Sequence, residues 1–224
     1  MSTTAIKDYD VLPPRGLNIE LDDKMIKRLG IGKYHSANIN AFKGDLLEHI
    51  NTYVSNARWC IKNGVGLYIH GANGKGKTYL ASAILKEYAK RGYSCVMVNA
   101  ANLQKIEIDN SYEFDSRESW KERIRSVHLL VVDDVGKEYR GQSGFVETSI
   151  SNLLMERSQQ KNCATIITSN VSPEPIRKGV TSTFQQIYGV GAASLILEMM
   201  RPMEIKGEDW RVVLQNKIKD RLGF

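Results

Sequence analysis

The eight residues from Gly71 to Thr78 read G-A-N-G-K-G-K-T, and their types and spacing suit phosphate binding. Small residues let the backbone fold tightly around an anion, so that successive N–H groups point at it. Lys77 supplies a mobile cation for the β- and γ-phosphates, and the Thr78 hydroxyl is a ligand for Mg²⁺. We therefore expect ATP and Mg²⁺ to be bound here, with nucleotide contacts from Gly71, Ala72, Asn73, Gly74, Lys75, Gly76, Lys77, Thr78 and Tyr79.

Two adjacent aspartates, Asp133 and Asp134, follow an apolar run at 128–132. A carboxylate at the tip of a buried strand beside a phosphate loop can hold Mg²⁺, so we assign Asp133 to the metal together with Thr78. Asp134, one residue later, is placed to activate the attacking water as a catalytic base. The structural alternative is a pair of solvated loop acids that cap the next helix.

A third polar site follows the apolar run at 163–167. A polar side chain that emerges between the other two motifs can bond the γ-phosphate or the attacking water. Asn170 is the best placed residue for this role, and Thr168 is the second. The predicted catalytic set for ATP hydrolysis is therefore Asp134, Asn170 and Lys77.

The hydrophobic pattern predicts the elements that position these residues. Strands are expected at 65–70, 93–98, 128–132, 163–168 and 202–206, and helices at 43–63, 79–88, 145–160 and 212–222. Residues 102–125 are polar and mostly helical in character. Strands separated by helices indicate a parallel sheet that is covered on both faces.

Composition restricts the class of protein. A length of 224 residues suits one α/β domain with a small extension. No apolar stretch approaches the roughly 20 residues that cross a bilayer, the first residues lack the apolar core of a signal peptide, and the three cysteines are scattered. These features predict a cytoplasmic protein without a membrane partner, and the net charge of +6 suits a polyanionic partner.

The motifs together resemble the AAA+ ATPases of the helicase-loader group, which comprises DnaC-like and DnaI-like replicative helicase loaders and the related transposition helper IstB. The similar segments are 71–78, 129–138 with its Asp-Asp-Val-Gly-Lys-Glu run, 165–170, 189–199 and 207–211. The resemblance covers roughly residues 31–214, and the run from Asp133 to Glu138 is its most discriminating part.

The resemblance implies an α/β P-loop NTPase fold of AAA+ type. Its sheet has five parallel strands in the order 5-1-4-3-2, flanked by helices, with little or no C-terminal lid domain. Residues 1–40 would form an N-terminal extension that binds a partner, and residues 41–224 the ATPase domain. The segment Ile31–His35 is similar to the family stretch over the adenine, so Tyr34 is expected to contact the base.

The same resemblance implies that a helical insert before the third strand grips single-stranded DNA. In this chain the insert is about 102–126, and Trp120 within it could stack on a base. The alternative is a solvated basic helix with a buried Trp. The residues expected to contact phosphates are Lys105, Arg117, Lys121, Arg123 and Arg125.

One position departs from the family pattern. The family carries an arginine after the serine that corresponds to Ser194, and this arginine reaches the γ-phosphate of a neighbouring subunit. Here that position is Leu195. Either hydrolysis is not activated in trans, or another arginine acts instead, namely Arg201, Arg177 or Arg211.

The expected function is that of an ATP-dependent DNA-replication accessory protein. It would bind single-stranded DNA, load or remodel a DnaB-like replicative helicase, assemble into homo-oligomers with ATP, and use slow, DNA- or partner-stimulated hydrolysis as a release switch. One alternative is an IstB-like transposition helper ATPase. Another alternative is a small-molecule kinase, for which residues 137–142 with Arg140 are the candidate for an arginine-bearing lid. A further one is a nucleotide-gated binding module with negligible turnover.

Overall fold

The computed structural model describes residues 11–108, 113–115, 118–136, 145–173 and 184–223. Its strands are β1 (Gly66–His70), β2 (Cys95–Asn99), β3 (Glu113–Asp115), β4 (Glu118–Ser119), β5 (Leu129–Val135), β6 (Ala164–Ser169) and β7 (Met200–Glu204). Its α-helices are α1 (Asp23–Arg28), α2 (Gly44–Ser55), α3 (Ala57–Lys62), α4 (Lys77–Lys90), α5 (Ala100–Ile108), α6 (Trp120–Ser126), α7 (Phe145–Ser158), α8 (Phe184–Met199) and α9 (Trp210–Leu222). None of the helices in these ranges is long and apolar enough to span a bilayer.

The main sheet has the strand order β2-β5-β6-β1-β7, and every pair in it is parallel. When its five strands are numbered along the chain, this is the predicted order 5-1-4-3-2 seen from the other edge, so the fold prediction is confirmed. β3 and β4 form a separate antiparallel pair. The carboxyl ends of parallel strands lie at one edge, so the segments after β1, β5 and β6 meet there.

Helices cover both faces of the sheet, and the alternation of side chains along each strand separates two hydrophobic clusters. In β1, Leu67 and Ile69 pack with α2, α3 and α4 on one face. Tyr68, between them, packs with α5, α7 and α8 on the other. Both faces of β1 are therefore buried, as a central parallel strand requires.

The N-terminal segment packs against the first of these faces. Leu29, Ile31 and Ala37 are buried, and the Met97 amide of β2 donates a hydrogen bond of 2.8 Å to the Leu29 carbonyl. Gly30 has a φ of +73°, and a Cβ there would lie 2.4 Å from the Met97 carbonyl oxygen, so the close approach requires glycine. Residues 11–40 are thus docked on the domain, and their partner-binding role stays a prediction.

Two predicted helical regions differ from the structure. The helix expected at 43–63 is broken into α2 and α3 at Asn56, whose backbone leaves the helical region with a φ of −91° and a ψ of 18°. Its side-chain amide donates to the Thr52 carbonyl at 2.8 Å, beside its own backbone N–H at 3.2 Å. The mostly helical region at 102–125 consists of α5, the β3–β4 pair and α6. Short polar stretches of this kind carry too little periodicity to distinguish a hairpin from a helix.

Two strands also have different limits from those predicted. β7 begins at Met200, two residues before the expected start, because α8 leads directly into it and it pairs along the whole of β1. β5 continues to Val135 and therefore includes both aspartates of the acidic motif. α8 itself is kinked at Gly189, which has a φ of 84°.

A fully buried arginine connects three elements near the amino edge of the sheet. Arg157 of α7 donates hydrogen bonds to the carbonyl oxygens of Ile124, Arg125 and Val127 at the end of α6, at 2.9–3.0 Å. In β6 it donates to the Thr165 hydroxyl at 2.9 Å and the Ala164 carbonyl at 2.7 Å. All these acceptors are neutral, and burial lowers the pKa of the guanidinium.

We expect Arg157→Met to destabilise the domain by about 3 kcal/mol, because several buried acceptors lose their donor at once. The measurement is urea unfolding followed by circular dichroism, in which the midpoint should fall while the slope stays unchanged. Arg221→Met, on exposed α9, is the matched control and should leave the midpoint in place. Equal midpoints for the two variants would contradict the role given to Arg157.

Candidate nucleotide site

The phosphate loop joins β1 to α4 at the carboxyl edge of the sheet. It comprises residues 71–76, between His70 at the end of β1 and Lys77 at the start of α4. Gly76 precedes the helix in a left-handed conformation with a φ of 91°. The helix N-terminus therefore opens onto the loop, where the N–H groups of its first turn and its positive dipole end favour an anion.

The Lys77 side chain is 7% exposed, and its ammonium group lies inside the loop. Its Nζ donates hydrogen bonds to the carbonyl oxygens of Gly71 and Ala72, each at 2.9 Å. It also donates to Oδ1 of Asn170 at 2.6 Å. Two of the three predicted catalytic side chains are thus in direct contact, although 93 positions separate them in the chain.

The two predicted Mg²⁺ ligands are also in contact. The Thr78 hydroxyl donates to Oδ1 of Asp133 at 2.9 Å. The Thr168 hydroxyl donates to the same oxygen at 2.6 Å, so one carboxylate atom connects α4, β5 and β6. Hydroxyl and carboxylate oxygens are hard donors of the kind that Mg²⁺ prefers, so this pair fits the ion.

Asp134 occupies a bulge at the end of β5. The pairing of β5 with β6 is regular up to Val132 and Ile167, and it shifts before Val135 meets Ser169. Asp134 has a φ of 63°, and its amide donates to the Thr168 hydroxyl at 2.9 Å. Bulges redirect side chains and are frequent beside active sites. The bulge therefore gives Asp134 an orientation that a regular strand would not give it.

A short turn after β6 positions Asn170. The Ser169 hydroxyl donates to the Val135 carbonyl at 2.7 Å and accepts from the Val171 amide at 3.0 Å. These bonds hold the turn on both sides of Asn170. Sequence reasoning ranked Thr168 below Asn170 as a phosphate contact, whereas the structure places its hydroxyl between the two aspartates.

A small cavity adjoins the phosphate loop on the side of the N-terminal segment. Its volume is about 240 Å³, and its lining includes Tyr34, Thr78, Met97, Asn99 and Asp133. Tyr34 also meets the Tyr79 ring edge-on, with centroids 6.4 Å apart. The contact of Tyr34 with a base stays a prediction. The Tyr79 side chain supports the N-terminal segment by accepting a hydrogen bond from the Asn38 amide at 3.2 Å.

The segment after β7 closes the outside of the phosphate loop, and sequence reasoning gave it no such role. The Lys75 ammonium donates to the Gly207 carbonyl at 2.5 Å, and the Trp210 amide donates to the Gly74 carbonyl at 3.0 Å. A Cβ on Gly74 would lie 1.9 Å from Oδ1 of Asp209. The run from Gly207 to Arg211 is one of the segments that resemble the helicase-loader group, but the spacing of its residues does not predict these contacts.

Three of the residues predicted to bind DNA lie on α6. In α6, Lys121 and Arg123 are partly exposed, Arg125 forms an ion pair with Glu156 of α7, and Trp120 packs against the hydrophobic core. Arg117 and the side chain of Lys105 lie outside the described residues. α6 begins with a capping box between Ser119 and Glu122, which fixes its first turn.

The arginines considered for action in trans are dispersed. Arg201 is exposed on β7 opposite Leu67, near the end of the sheet remote from the phosphate loop of its own subunit. Leu195 packs against the core of α8, whereas Ser194 before it is exposed. Arg211 is exposed at the start of α9, and Arg177 lies outside the described residues.

Comparisons with known proteins agree with this geometry. A family model described as the bacterial DnaA ATPase domain matches residues 45–192. The replicative helicase loader DnaI of Bacillus subtilis (strain 168) is 26% identical over 170 residues, which are 74% of this chain and 53% of DnaI. The chain therefore spans about half the length of this curated relative.

Two solved structures have the same fold. A crystal structure of the DnaC helicase loader superposes with a TM-score of 0.62 at 24% identity, covering 78% of this chain and 99% of DnaC. A structure of the replication initiator DnaA bound to AMPPCP and single-stranded DNA gives 0.57 at 18% identity, covering 83% of this chain and 55% of DnaA. On the family match and the DnaI identity together, this chain belongs to the bacterial DnaA ATPase domain family of AAA+ proteins and is related in sequence to the helicase loader DnaI.

Proposed function

We propose that this protein is an ATPase that loads or remodels a replicative helicase on single-stranded DNA, with hydrolysis as the release step. The observation that carries the ATPase part is the hydrogen-bonded cluster in which Lys77 contacts Asn170 and Thr78 contacts Asp133. It joins the phosphate loop to the ends of two strands, so the groups that bind and cleave a triphosphate converge on one point.

Each group in the cluster has a role that follows from its chemistry. The backbone amides of residues 71–76 and the Lys77 ammonium would bind the phosphates, and Thr78 and Asp133 would hold Mg²⁺. The ion, when bound, neutralises charge on the β- and γ-phosphates. Tyr34 would contact the base from the cavity that adjoins Thr78.

Hydrolysis needs a base for the attacking water, and Asp134 is our assignment. Its backbone is held in a left-handed conformation by the Thr168 hydroxyl, which also bonds the proposed metal ligand Asp133. Asn170 would lie beside the γ-phosphate, because its amide oxygen accepts a hydrogen bond from the Lys77 ammonium group, which would bind the phosphates. These shared partners would make the catalytic groups respond together to the nucleotide.

The helicase part of the proposal is supported by homology. DnaI and DnaC are named as helicase loaders, and the DnaA structure is named as binding single-stranded DNA. We infer a DnaB-like helicase as partner, with the N-terminal segment as its contact, and single-stranded DNA on α6 through Lys121 and Arg123. A transposition helper would share the ATP site, so co-purification with a helicase rather than a transposase separates the two functions.

Assembly of subunits with ATP belongs to the same proposal. Leu195 is partly buried against the hydrophobic cluster and is uncharged, so it cannot supply the positive charge that an arginine would at this position. Arg201 is exposed at the end of the sheet away from its own site, so any action on a phosphate would be on a neighbouring subunit. The lid considered for a small-molecule kinase, residues 137–142, lies outside the described residues.

Lys77→Ala should weaken ATP binding by about 10- to 100-fold, because charge-assisted hydrogen bonds to the phosphates are lost. Isothermal titration with a non-hydrolysable ATP analogue measures the effect. Lys206→Ala is the matched control, since the Lys206 side chain is 80% exposed and pairs only with Glu204 among the described residues. Wild-type affinity in Lys77→Ala would contradict the site.

Asp134→Asn should keep ATP affinity within a few-fold and lower the rate of phosphate release by about 100-fold or more, because the amide cannot accept the proton of the attacking water. Single-turnover phosphate release, with and without oligonucleotide, provides the rate. The substitution is nearly isosteric, so the fold should be retained. Unchanged turnover would remove Asp134 from its role.

Lys121→Glu should weaken the binding of single-stranded DNA and reduce the salt dependence of the affinity, since one phosphate contact is lost. Fluorescence anisotropy with labelled oligothymidylate at several salt concentrations measures both quantities. Lys217→Glu, an equal charge change on exposed α9, is the control. If both variants bind DNA alike, α6 is not the DNA-binding helix.

A further inference from the structure

A large open cleft lies at the opposite end of the domain from the phosphate loop. Its volume is about 1010 Å³, and it is formed by residues 14–18, α3 and the last turn of α4. We refer to it as the α3–α4 cleft. α4 starts at the phosphate loop and ends at Lys90, so its 14 residues separate the two sites by about 20 Å.

The cleft is strongly basic. Arg15, Arg58, Lys62, Lys90 and Arg91 line it, and Glu87 is the one acidic residue in its lining within the described part of the chain. Glu87 is already engaged, with Lys90 at 2.7 Å and Arg91 at 3.0 Å. Arg15, Arg58 and Lys62 therefore have no carboxylate partner among the described residues, and their positive charge is available to a ligand.

The basic groups are partly pre-positioned. Nη1 of Arg58 donates a hydrogen bond of 2.6 Å to the Pro13 carbonyl, which ties α3 to the docked N-terminal segment. Arg91 is held through a bond of 2.6 Å from its own guanidinium to the Glu87 carbonyl. Guanidinium groups that are held in place lose less entropy when they bind phosphate oxygens in pairs.

An exposed tryptophan stands among these charges. Trp59 is 59% exposed and lines the cleft next to Arg58, although Trp is normally buried over most of its surface. A flat aromatic ring beside cationic side chains is the arrangement on which nucleic-acid bases stack while the cations contact phosphates. An acidic peptide would satisfy the charges and leave the ring without a matching group.

We propose that the α3–α4 cleft binds single-stranded nucleic acid, with Trp59 stacking on a base and Arg15, Arg58 and Lys62 contacting phosphates. This site is separate from the nucleotide site and from α6, and it does not rest on the proposed function. Binding here would not require ATP, because no residue of the cleft belongs to the phosphate loop. The domain would then have two surfaces for a strand, one near α6 and one behind α4.

The first experiment uses the full chain and labelled oligothymidylate without ATP. Trp59→Ala and Lys62→Glu should each weaken binding by about 10-fold, as expected for the loss of one stacked base or one phosphate contact. Leu214→Ala and Lys217→Glu, matched changes on exposed α9, should bind as the wild type does. Wild-type affinity in both cleft variants would overturn the proposal.

In the second experiment Trp59 stays in place, so the result does not depend on whether variants at position 59 fold. In a chain with Trp120→Phe and Trp210→Phe, Trp59 is the remaining tryptophan of the three, and its fluorescence should be quenched when oligothymidylate is added. Unchanged fluorescence at saturating oligonucleotide would overturn the proposal. Quenching by a polyglutamate peptide but not by oligothymidylate would also overturn the proposal, because the cleft would then be a site for acidic peptides.

The outcome for α6 is independent of these results. Lys121→Glu tests the DNA contact of the proposed function, and the double variant Lys121→Glu/Lys62→Glu should lose affinity as the product of the single effects if the sites are separate. If Lys121→Glu weakens DNA binding and Trp59→Ala does not, α6 binds DNA and the proposed role of the cleft is wrong. If only Trp59→Ala weakens binding, the cleft binds DNA and the proposed role of α6 is wrong.

Discussion

The Asp133 carboxylate is the constraint on which the arrangement of the site depends. One of its oxygens accepts hydrogen bonds from Thr78 and Thr168, so it connects the helix after the phosphate loop to two neighbouring strands. A partly buried carboxylate is stable only while its oxygens are bonded, so these hydroxyls must stay in place. The strand order provides for this, because β6 lies between β5 and β1 and brings the ends of all three strands together.

The two ends of the domain differ in the burial and hydrogen bonding of their charged side chains. At the carboxyl edge of the sheet, Lys77 is buried and donates hydrogen bonds to neutral oxygens of the loop and of Asn170. At the other end, the cations of the α3–α4 cleft are open to solvent. A buried site distinguishes ligands by geometry, whereas an open basic site attracts polyanions with little discrimination and weakens as salt rises.

Local sequence was sufficient for the parts of the site that are continuous in the chain. The phosphate loop, the strand before it and the apolar run before Asp133 could be predicted because glycine spacing and buried strands leave a local signal. The bulge at Asp134 and the helix break at Asn56 could not, since each involves hydrogen bonds between side chain and backbone that residue types and hydrophobic periodicity do not reveal. The contact of Lys77 with Asn170 spans 93 positions, and such distances leave no pattern in one sequence.

The contacts of the phosphate loop with the end of the chain have a consequence for biosynthesis. The Ile205 amide bonds the His70 carbonyl at 2.8 Å, and a Cβ on Gly71 would lie 2.5 Å from the Ile205 carbonyl oxygen. The Lys75 contact with Gly207 spans 132 positions. A ribosome therefore completes the glycine-rich motif long before it makes the residues that close it, and β1 waits as an unpaired edge until β7 emerges. The glycine-rich motif can therefore reach its final form only after β7 and the residues up to Trp210 have been made.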